Sequence, residues 1–176
     1  MPTQIGANGA DNYIGTPEAD TIYGAGGNDT LNAGGDNDTL NGEAGNDILT
    51  GADGNDQFVF DTALPAAGVD TIIGLFIDDN FDNNKIVLDK TVFSALETVA
   101  GNPLTAGDCS VINVAATSEV VVAGNSVNDI VYNSQTGGLF YNPNNNVAGF
   151  RPGGGSFATV YGFLTDFSNT TFLVVP

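Results

Sequence analysis

The sequence contains no histidine and no tryptophan, and it has one cysteine and one methionine among its 176 residues. Without histidine, Ser-His-Asp and Cys-His catalysis and every zinc site built on imidazole are excluded. The single cysteine, Cys109, excludes an intramolecular disulfide and a thiolate metal cluster. We therefore expect neither zinc chemistry nor the commonest forms of nucleophilic catalysis.

Basic residues are nearly absent: Lys85, Lys90 and Arg151 stand against 21 acidic residues, and the formal net charge is −18. Such a polyanion is a poor partner for nucleic acid and for anionic membrane surfaces. The sequence has no apolar run of membrane-spanning length, and its N-terminal region lacks the features of an ordinary signal peptide. With so few cations of its own, the chain is expected to bind cations from solution.

Glycine, asparagine and aspartate are abundant, and between residues 6 and 59 they recur in six consecutive blocks of nine residues. The first position of a block is glycine except at Ala33, and the fourth is glycine except at Glu18 and Asp36. The sixth position is always aspartate: Asp11, Asp20, Asp29, Asp38, Asp47 and Asp56. The eighth position is always apolar: Tyr13, Ile22, Leu31, Leu40, Leu49 and Phe58.

This period predicts a short turn followed by a short strand in every block. One apolar residue in nine fits no amphipathic helix, and the glycines would break a helix in any case. A six-residue turn and a three-residue strand with one inward side chain fit well, and two blocks then make one coil of a flattened helix. A disordered polar linker is the alternative, but a linker has no reason to place an apolar residue at every eighth position.

Stacking of block n on block n+2 would align the aspartates in two rows, one on each edge of the coil. Neighbouring carboxylates about 4.8 Å apart repel by roughly 3 kcal/mol per pair at an effective dielectric constant near 20. A hard divalent cation between the coils would remove this repulsion, because Ca²⁺ binds carboxylate and carbonyl oxygens. The acidic surplus and the glycine excess therefore have one explanation.

The blocks resemble the G-G-x-G-x-D-x-U-x nonapeptide of repeats-in-toxin (RTX) calcium-binding proteins, over residues 6–60. The resemblance implies an all-β fold, a right-handed parallel β-roll, with about four Ca²⁺ ions held by turn carbonyls and sixth-position aspartates. The implied pairs are Asp11/Asp29, Asp29/Asp47, Asp20/Asp38 and Asp38/Asp56. The implied carbonyl ligands are those of Gly15, Gly24, Gly26, Gly27, Ala33, Gly35, Gly42 and Gly45.

The sequence departs from this pattern in two ways. The second position is mostly Ala, Thr or Glu instead of glycine, and the first two blocks carry Ala10 and Ala19 where later blocks have asparagine. We therefore expect the best calcium sites to be those that involve Asp29 and Asp47 in one row and Asp38 and Asp56 in the other.

After residue 60 the pattern changes to ordinary β-strands, so we divide the chain into a β-roll (1–60) and a β-rich capping region (61–176). Phe58 and Phe60 would bridge the two. Strands are predicted over 69–76, 85–89, 119–124, 129–133, 138–142, 157–164 and 172–175, with a hairpin across 129–142 and one short helix over 90–99.

The second half is similar to the region that follows the repeats in secreted, serralysin-like RTX proteases. The segments that carry the similarity are "FVFDTAL", "VDTIIGLF", "KIVLDKTVFSAL" and the tyrosine-containing hairpin. The end "DFSNTTFLVVP" resembles the uncleaved C-terminal signal of type I export, although Asp166 stands far from "FLVV" and Pro176 is appended. A final β-strand is the alternative, and both interpretations are compatible.

Other acidic segments are weaker candidates. Residues 78–89 put Asp78, Asn80, Asp82 and Asp89 at EF-hand spacing, but Lys85 occupies an apolar position of that motif and favours a solvated loop. The segment "NPNNN" (142–146) is expected to be a plain turn. Asp70 is a candidate to close the last coil of the roll.

These observations leave three classes of function, none of them catalytic. The first is a secreted, calcium-dependent structural, adhesive or self-assembling protein of a Gram-negative-type bacterium, exported by type I secretion machinery to the cell surface or medium. The second is an accessory module of a secreted enzyme, although the first block begins within six residues of Met1. The third is an ice-binding β-roll, for which Thr21, Thr30 and Thr39 are suggestive. We expect no enzymatic activity, because no H-E-x-x-H, G-x-S-x-G or P-loop occurs.

Overall fold

The computed structural model describes residues 2–64, 66–75, 83–105, 108–112, 129–143, 154–161 and 171–176. Within these ranges the chain contains fourteen β-strands and no α-helix. In chain order they are β1 Thr3–Ile5, β2 Asn12–Ile14, β3 Thr21–Tyr23, β4 Thr30–Gly34, β5 Thr39–Asn41, β6 Ile48–Ala52, β7 Gln57–Phe60, β8 Asp70–Ile73, β9 Lys85–Asp89, β10 Cys109–Ile112, β11 Ile130–Asn133, β12 Gly138–Tyr141, β13 Gly155–Tyr161 and β14 Phe172–Val175.

The strands of the repeats form two parallel sheets, as a β-roll requires. One sheet has the order β1-β3-β5-β7-β9-β14, and the other sheet has the order β2-β4-β6-β8-β13-β12-β11-β10, so that successive strands from β1 to β9 alternate between the two sheets. Each repeat strand pairs in parallel with the strand two blocks later, so that Ile22 lies opposite Leu40 and Leu31 opposite Leu49. The predicted all-β, parallel β-roll with n, n+2 stacking is therefore confirmed.

Eighth-position side chains fill the space between the two sheets. Ile22, Leu31, Leu40, Leu49 and Phe58 are fully buried in one hydrophobic cluster, whereas Tyr13 in the first block is partly buried against it. Burial of one such side chain contributes about 1.5–3 kcal/mol. One apolar residue in nine is sufficient because the strands are short and only one face of each is covered.

The roll extends beyond the six blocks at both ends. Strand β1 pairs with β3 before the first block, and β8 and β9 continue the sheets by pairing with β6 and β7. In these later turns Asp70 and Ile72, and Asn84 and Ile86, stand two residues apart like the sixth and eighth positions of a block. Both sheets are thus continuous across residue 60, where the nonapeptide repeats end and ordinary β-strand patterning begins.

The rest of the described chain packs against the later coils of the roll. Strands β11 and β12 form the predicted antiparallel hairpin, and β13 joins it to β8. Phe60 contacts Phe157 edge-to-face with a centroid distance of 5.2 Å, and Phe93 contacts both Phe157 and Tyr141 at 5.3 and 4.9 Å. These rings join the roll to the hairpin, in agreement with the expected bridging role of Phe60.

The predicted helix over 90–99 is wrong, because this segment consists of turns. The Lys90 ammonium donates hydrogen bonds to the carbonyls of Leu96 and Thr98, both at 2.7 Å, which folds the segment back on itself. A helix would carry residues 96 and 98 about 9–12 Å along its axis from Lys90. The sequence also gave no indication of β10, and the strand predicted over 119–124 lies outside the described residues.

Candidate metal centre

The sixth-position aspartates form two hydrogen-bonded rows, one on each edge of the roll. The backbone N–H of each of the first four aspartates donates to Oδ1 of the aspartate two blocks later. The donor–acceptor distances are 2.8 Å for Asp11 to Asp29, 2.8 Å for Asp29 to Asp47, 2.7 Å for Asp20 to Asp38 and 2.9 Å for Asp38 to Asp56. The four pairs implied by the family resemblance are the pairs that the structure brings together.

Each row ends on a residue beyond the repeats. The N–H of Asp47 donates to Asp70 Oδ1 at 3.0 Å, and the N–H of Asp56 donates to Asn84 Oδ1 at 2.6 Å. Asn84 also donates from Nδ2 to the carbonyls of Gly74 and Leu75. One row therefore ends on a carboxylate and the other on a neutral amide. Sequence reasoning identified Asp70 and missed Asn84, although the apolar residue two positions later, Ile86, would have indicated it.

The remaining oxygens of the interior carboxylates are buried without hydrogen bonds. Oδ2 of Asp29, Asp38 and Asp47, and Oδ1 of Asp20, find no hydrogen-bond partner among the described residues. The four residues are at most 1% exposed to solvent. An ionised carboxylate in such a position is strongly destabilising unless a positive charge or a donor reaches it.

First-position carbonyls of one coil lie beside the carboxylates of the preceding coil. An atom placed at the Cβ position of Gly24 would lie 2.4 Å from Asp29 Oδ2 and 2.7 Å from the Gly42 carbonyl oxygen. The same position at Gly15 lies 2.7 Å from Asp20 Oδ2 and 2.0 Å from the Ala33 carbonyl oxygen. Carboxylate and carbonyl oxygens thus converge where glycine leaves room, and this is the donor set that Ca²⁺ prefers.

The same convergence occurs at the first block with a longer contact. The Cβ position of Gly6 lies 2.2 Å from the Gly24 carbonyl oxygen and 3.1 Å from Asp11 Oδ2. Of the other expected carbonyl ligands, Gly27 places its oxygen against Gly45 of the neighbouring coil. Gly26 and Gly35 lie at the third position of their turns and donate their N–H groups to Ala7 and Thr16. Their role as ligands stays a prediction.

The turns adopt two conformations, which differ at the second position. In the first two blocks the N–H groups of Ala7 and Thr16 donate to Oδ2 of Asp11 and Asp20 at 2.7 and 2.6 Å. In the later blocks the second-position residues have φ values between 64° and 109°; they are Ala25, Gly34, Glu43 and Ala52. This backbone turns the N–H away and leaves the aspartate oxygen for another partner. The first two turns are self-closed, whereas the later turns are open.

Burial shifts the titration of the interior carboxylates. Desolvation, followed by the charge of the neighbouring aspartate in the row, raises the pKa of Asp29 and Asp38, and the hydrogen bond from the neighbour's backbone opposes the shift. The same causes raise the pKa of Asp47 to about 6 and that of Asp70 to about 8. These shifts reflect first the cost of burying an ionised carboxylate and then the repulsion from its neighbour in the row.

No three acidic or cysteine side chains converge on one point within the described ranges. A cation between two coils would therefore be held by a pair of carboxylates, with backbone carbonyls or water supplying the other oxygens. The site is in this respect unlike an EF-hand, where side chains of one loop dominate.

The other acidic candidates are only partly placed. Asp89 ends β9, and its Oδ1 accepts hydrogen bonds from the N–H and the hydroxyl of Thr91 at 2.7 and 2.5 Å. Asp78, Asn80 and Asp82 lie outside the described residues, as do residues 144–146 of the asparagine-rich turn and Asp166 of the C-terminal segment.

Comparison with protein families supports the repeat assignment. Residues 5–40 and 33–61 match the family model of the RTX calcium-binding nonapeptide repeat (4 copies). No curated protein matches the chain. The described residues include no helix that is both long and apolar enough to cross a membrane. The chain thus carries RTX-type repeats, a class of repeat that binds Ca²⁺.

Proposed function

We propose that this protein is a secreted calcium-binding RTX protein that folds outside the cell on binding Ca²⁺ and serves there as a structural, adhesive or self-assembling surface protein. One observation carries the calcium part: the buried Asp29 Oδ2, which has no hydrogen bond among the described residues, lies beside the Gly42 carbonyl oxygen of the next coil, and the unbonded carboxylate oxygens of its row and of the opposite row recur at the same period. When bound, Ca²⁺ supplies the positive charge that these oxygens lack. The chain's own residues hold the aspartates in register through the Oδ1 ladder.

Calcium would act as a folding switch that depends on location. Extracellular Ca²⁺ modules bind at about 10⁻⁴–10⁻³ M, so their sites stay empty in a low-calcium cytoplasm. At ten times the dissociation constant each site adds about 1.4 kcal/mol, and four independent sites add roughly 5–6 kcal/mol. This is comparable to the whole stability of a small domain. An unfolded polyanion inside the cell suits passage through a type I channel, and the C-terminal "FLVV" resembles the export signal of that route.

A calcium titration of the full chain tests this proposal. We expect circular dichroism to show a coil-to-β transition between micromolar and millimolar Ca²⁺, which a chelator reverses. Metal analysis at millimolar Ca²⁺ should find about four ions in the roll. A roll that keeps its β-structure in excess chelator, or fewer than two ions per chain, would contradict the proposal.

The open end of the roll supports self-assembly. Strands β1 and β2 are the edge strands of the two sheets, and no described segment pairs with their outer sides. Ile5 and Ile14 on these strands are 69% and 75% exposed. Unpaired strand edges with exposed apolar residues favour pairing with another chain. A second copy of the same chain is therefore the proposed partner at this end.

Ultracentrifugation and electron microscopy with and without Ca²⁺ test assembly. The double variant Ile5→Lys, Ile14→Lys should lower the association state of the calcium-loaded protein, because charged residues block edge-to-edge pairing. Val99→Lys is the matched control, since Val99 is 71% exposed and belongs to a turn that is hydrogen-bonded to β14, at the opposite edge of the sheet from β1. A wild-type protein that stays monomeric at high concentration in calcium would contradict self-assembly.

An accessory module of a secreted enzyme is the second candidate. The same open end would let a further β-domain stack on β1 and β2, and the similarity of residues 61–176 to the region after the repeats in serralysin-like proteases agrees with this role. We propose that the chain itself is not catalytic. Reproducible turnover that a point mutation outside the repeats abolishes would overturn that proposal.

An ice-binding role has narrower support. Thr3, Thr21 and Thr39 lie opposite one another on β1, β3 and β5, but Gln57 and Lys85 follow on β7 and β9. A flat threonine ladder therefore covers only three strands. Unchanged ice growth in the presence of the folded protein would exclude this role.

A further inference from the structure

A pair of strands far from the repeats reproduces the backbone arrangement of the roll. Strands β10 and β11 pair in parallel with Cys109 opposite Ile130, and each strand is preceded by an aspartate, Asp108 and Asp129. The N–H of Ile130 donates to the Asp108 carbonyl at 2.7 Å. In the roll the N–H of Ile48 donates in the same way to the Asp29 carbonyl at 2.9 Å.

The sequence before β11 also follows the nonapeptide. Residues 124–132 read "GNSVNDIVY", with glycine at the first position, Asn-Asp at the fifth and sixth, and an apolar residue at the eighth. Strands β8, β13 and β12 lie between the β10–β11 pair and strand β6 of the repeats in the same sheet. The sequence pattern of the nonapeptide thus recurs immediately before a strand at the opposite end of the sheet.

One hydrogen bond distinguishes the β10–β11 pair from the paired strands of the roll. In the roll the N–H of each aspartate donates to Oδ1 of the next aspartate, but here the N–H of Asp108 donates to the Thr105 carbonyl at 3.1 Å. Asp129 is only 3% exposed, and its Oδ1 is buried without a hydrogen-bond partner among the described residues. The carboxylate of Asp129 therefore lacks the one donor that the ladder would supply.

Asp108 beside it is held in the ionised form. Its Oδ2 accepts hydrogen bonds from the hydroxyls of Thr98 and Thr105, both at 2.5 Å, and its Oδ1 accepts one from the N–H of Glu97 at 2.9 Å. These hydrogen bonds outweigh desolvation, the largest single cause, and lower the pKa of Asp108. Burial raises the pKa of Asp129 to about 6, and the charges of Asp108 and Glu97 add to the shift.

The local cation does not neutralise this pair by direct contact. The Lys90 ammonium donates to the carbonyls of Leu96 and Thr98, as described above. Among the described residues, Asp108 Oδ1 accepts one hydrogen bond, from the N–H of Glu97, and Asp129 Oδ1 accepts none. The carboxylates of Asp108 and Asp129, which precede the neighbouring strands β10 and β11, thus have oxygens that can accept further ligands.

We propose that Asp108 and Asp129 bind one Ca²⁺ ion at the start of β10 and β11, outside the nonapeptide roll. The donors are carboxylate oxygens, which favour a hard divalent cation over zinc or copper. The nearby negative charge of Glu97 strengthens attraction of the ion. This site is independent of the roll, so each can exist without the other.

Anomalous X-ray scattering from crystals of the wild-type protein grown in calcium tests the site without mutation. A peak between the Asp108 and Asp129 carboxylates is expected, in addition to peaks between the coils of the roll. Peaks in the roll with none at this position would overturn the inference. Peaks here with none in the roll would support it and contradict the proposed function of the repeats.

Calcium binding by a full-length variant gives a second test. Asp129→Asn should lower the number of bound ions measured by equilibrium dialysis by one, whereas the exposed Asp53→Asn should not change it. If Asp129→Asn binds as much calcium as the wild-type protein, the site is wrong. If the variant does not fold, the anomalous map of the wild-type protein decides alone.

Discussion

At the residue scale, the second position of each block determines what the aspartate four residues later can bind. Ala25, Glu43 and Ala52 adopt φ values of 72°, 64° and 69°, a backbone region that non-glycine residues occupy at a cost of about 1–2 kcal/mol. The turns of the first two blocks avoid this strain and close on their own carboxylates. The strain in later turns keeps the carboxylates open, which is useful only if another partner binds them.

We expect Ala25→Gly to stabilise the calcium-bound protein. Glycine adopts positive φ without the Cβ penalty, and the entropy it adds to the unfolded chain offsets part of the gain. A net gain of about 0.5–1 kcal/mol in the free energy of unfolding should appear as a higher melting temperature in calcium. Ala7→Gly is the matched control, because Ala7 holds the same position without positive φ, and it should be neutral or destabilising. The reverse order would contradict the assignment of two turn conformations.

The position of an aspartate in its row should determine the effect of its removal. Asp38 borders two slots, is 1% exposed and takes part in the ladder on both sides. Asp11 begins its row, is half-buried and accepts a hydrogen bond from Ala7. Asp38→Ala should therefore reduce calcium-dependent melting more than Asp11→Ala. Equal effects of the two substitutions would argue against the n, n+2 register as the calcium-binding arrangement.

At the element scale, the sequence predicts strands where a side-chain period exists and fails where a tertiary contact decides. The eighth-position apolar residues predict β2 to β7, because one inward residue per turn leaves few alternatives. Strand β1 carries Gln4 at the equivalent position, and nothing in that polar residue indicates a strand. The turns over 90–99 depend on Lys90 and on the burial of Phe93 and Leu96, which no local pattern shows.

The candidate metal site, too, has features that the sequence predicts and features that only the structure shows. A fixed period of aspartates predicts which carboxylates meet, because the register of a parallel roll follows from the repeat length. The ends of the rows, Asp70 and Asn84, follow irregular segments that break the phase. The conformations of Ala7 and Ala25 differ although the residue type is the same, so the self-closed and open turns were visible only in the structure.

Only one face of strand β14 should matter for the stability of the folded protein, whereas all four of its residues should matter for export. Phe172 and Val174 are buried in the core, whereas Leu173 and Val175 are only partly buried, and the strand pairs with β9. Phe172→Ala should destabilise the calcium-bound protein by about 3–5 kcal/mol, and Leu173→Ala by much less. If the export machinery recognises "FLVV" in the unfolded chain, both variants should reduce secretion to a similar degree. Secretion that follows stability instead would contradict an export signal in this strand.

At the scale of the whole molecule, the acidic surplus is arranged so that folding and cation binding are one process. The net charge of −18 includes two rows of stacked aspartates, and each of the short strands that follow them buries at most two apolar residues. Hydrophobic burial in so thin a layer leaves little surplus over chain entropy. Stability must therefore depend on whatever neutralises the rows, which in solution is a proton or a divalent cation.

Acidification should partly replace calcium in the metal-free protein. Burial, followed by the charge of the neighbouring aspartate, raises the pKa of Asp47 to about 6 and that of Asp70 to about 8 in the folded protein. A raised folded-state pKa means that the folded chain binds protons more tightly, so this stabilisation is complete below about pH 4 and is lost as the pH rises to about 8. Metal-free protein prepared by dialysis should therefore show more β-structure and a higher melting temperature at pH 5 than at pH 8.

Calcium should reverse this dependence, because Ca²⁺ binds the deprotonated carboxylates and its binding releases protons. Asp70→Asn should remove most of the change between pH 6 and pH 8 in the metal-free protein, since the pKa of about 8 belongs to that residue. Asp53→Asn, at an exposed position, removes the same charge and is the control for general repulsion. Metal-free protein that is more stable at pH 8 than at pH 5 would show that the buried rows do not govern folding.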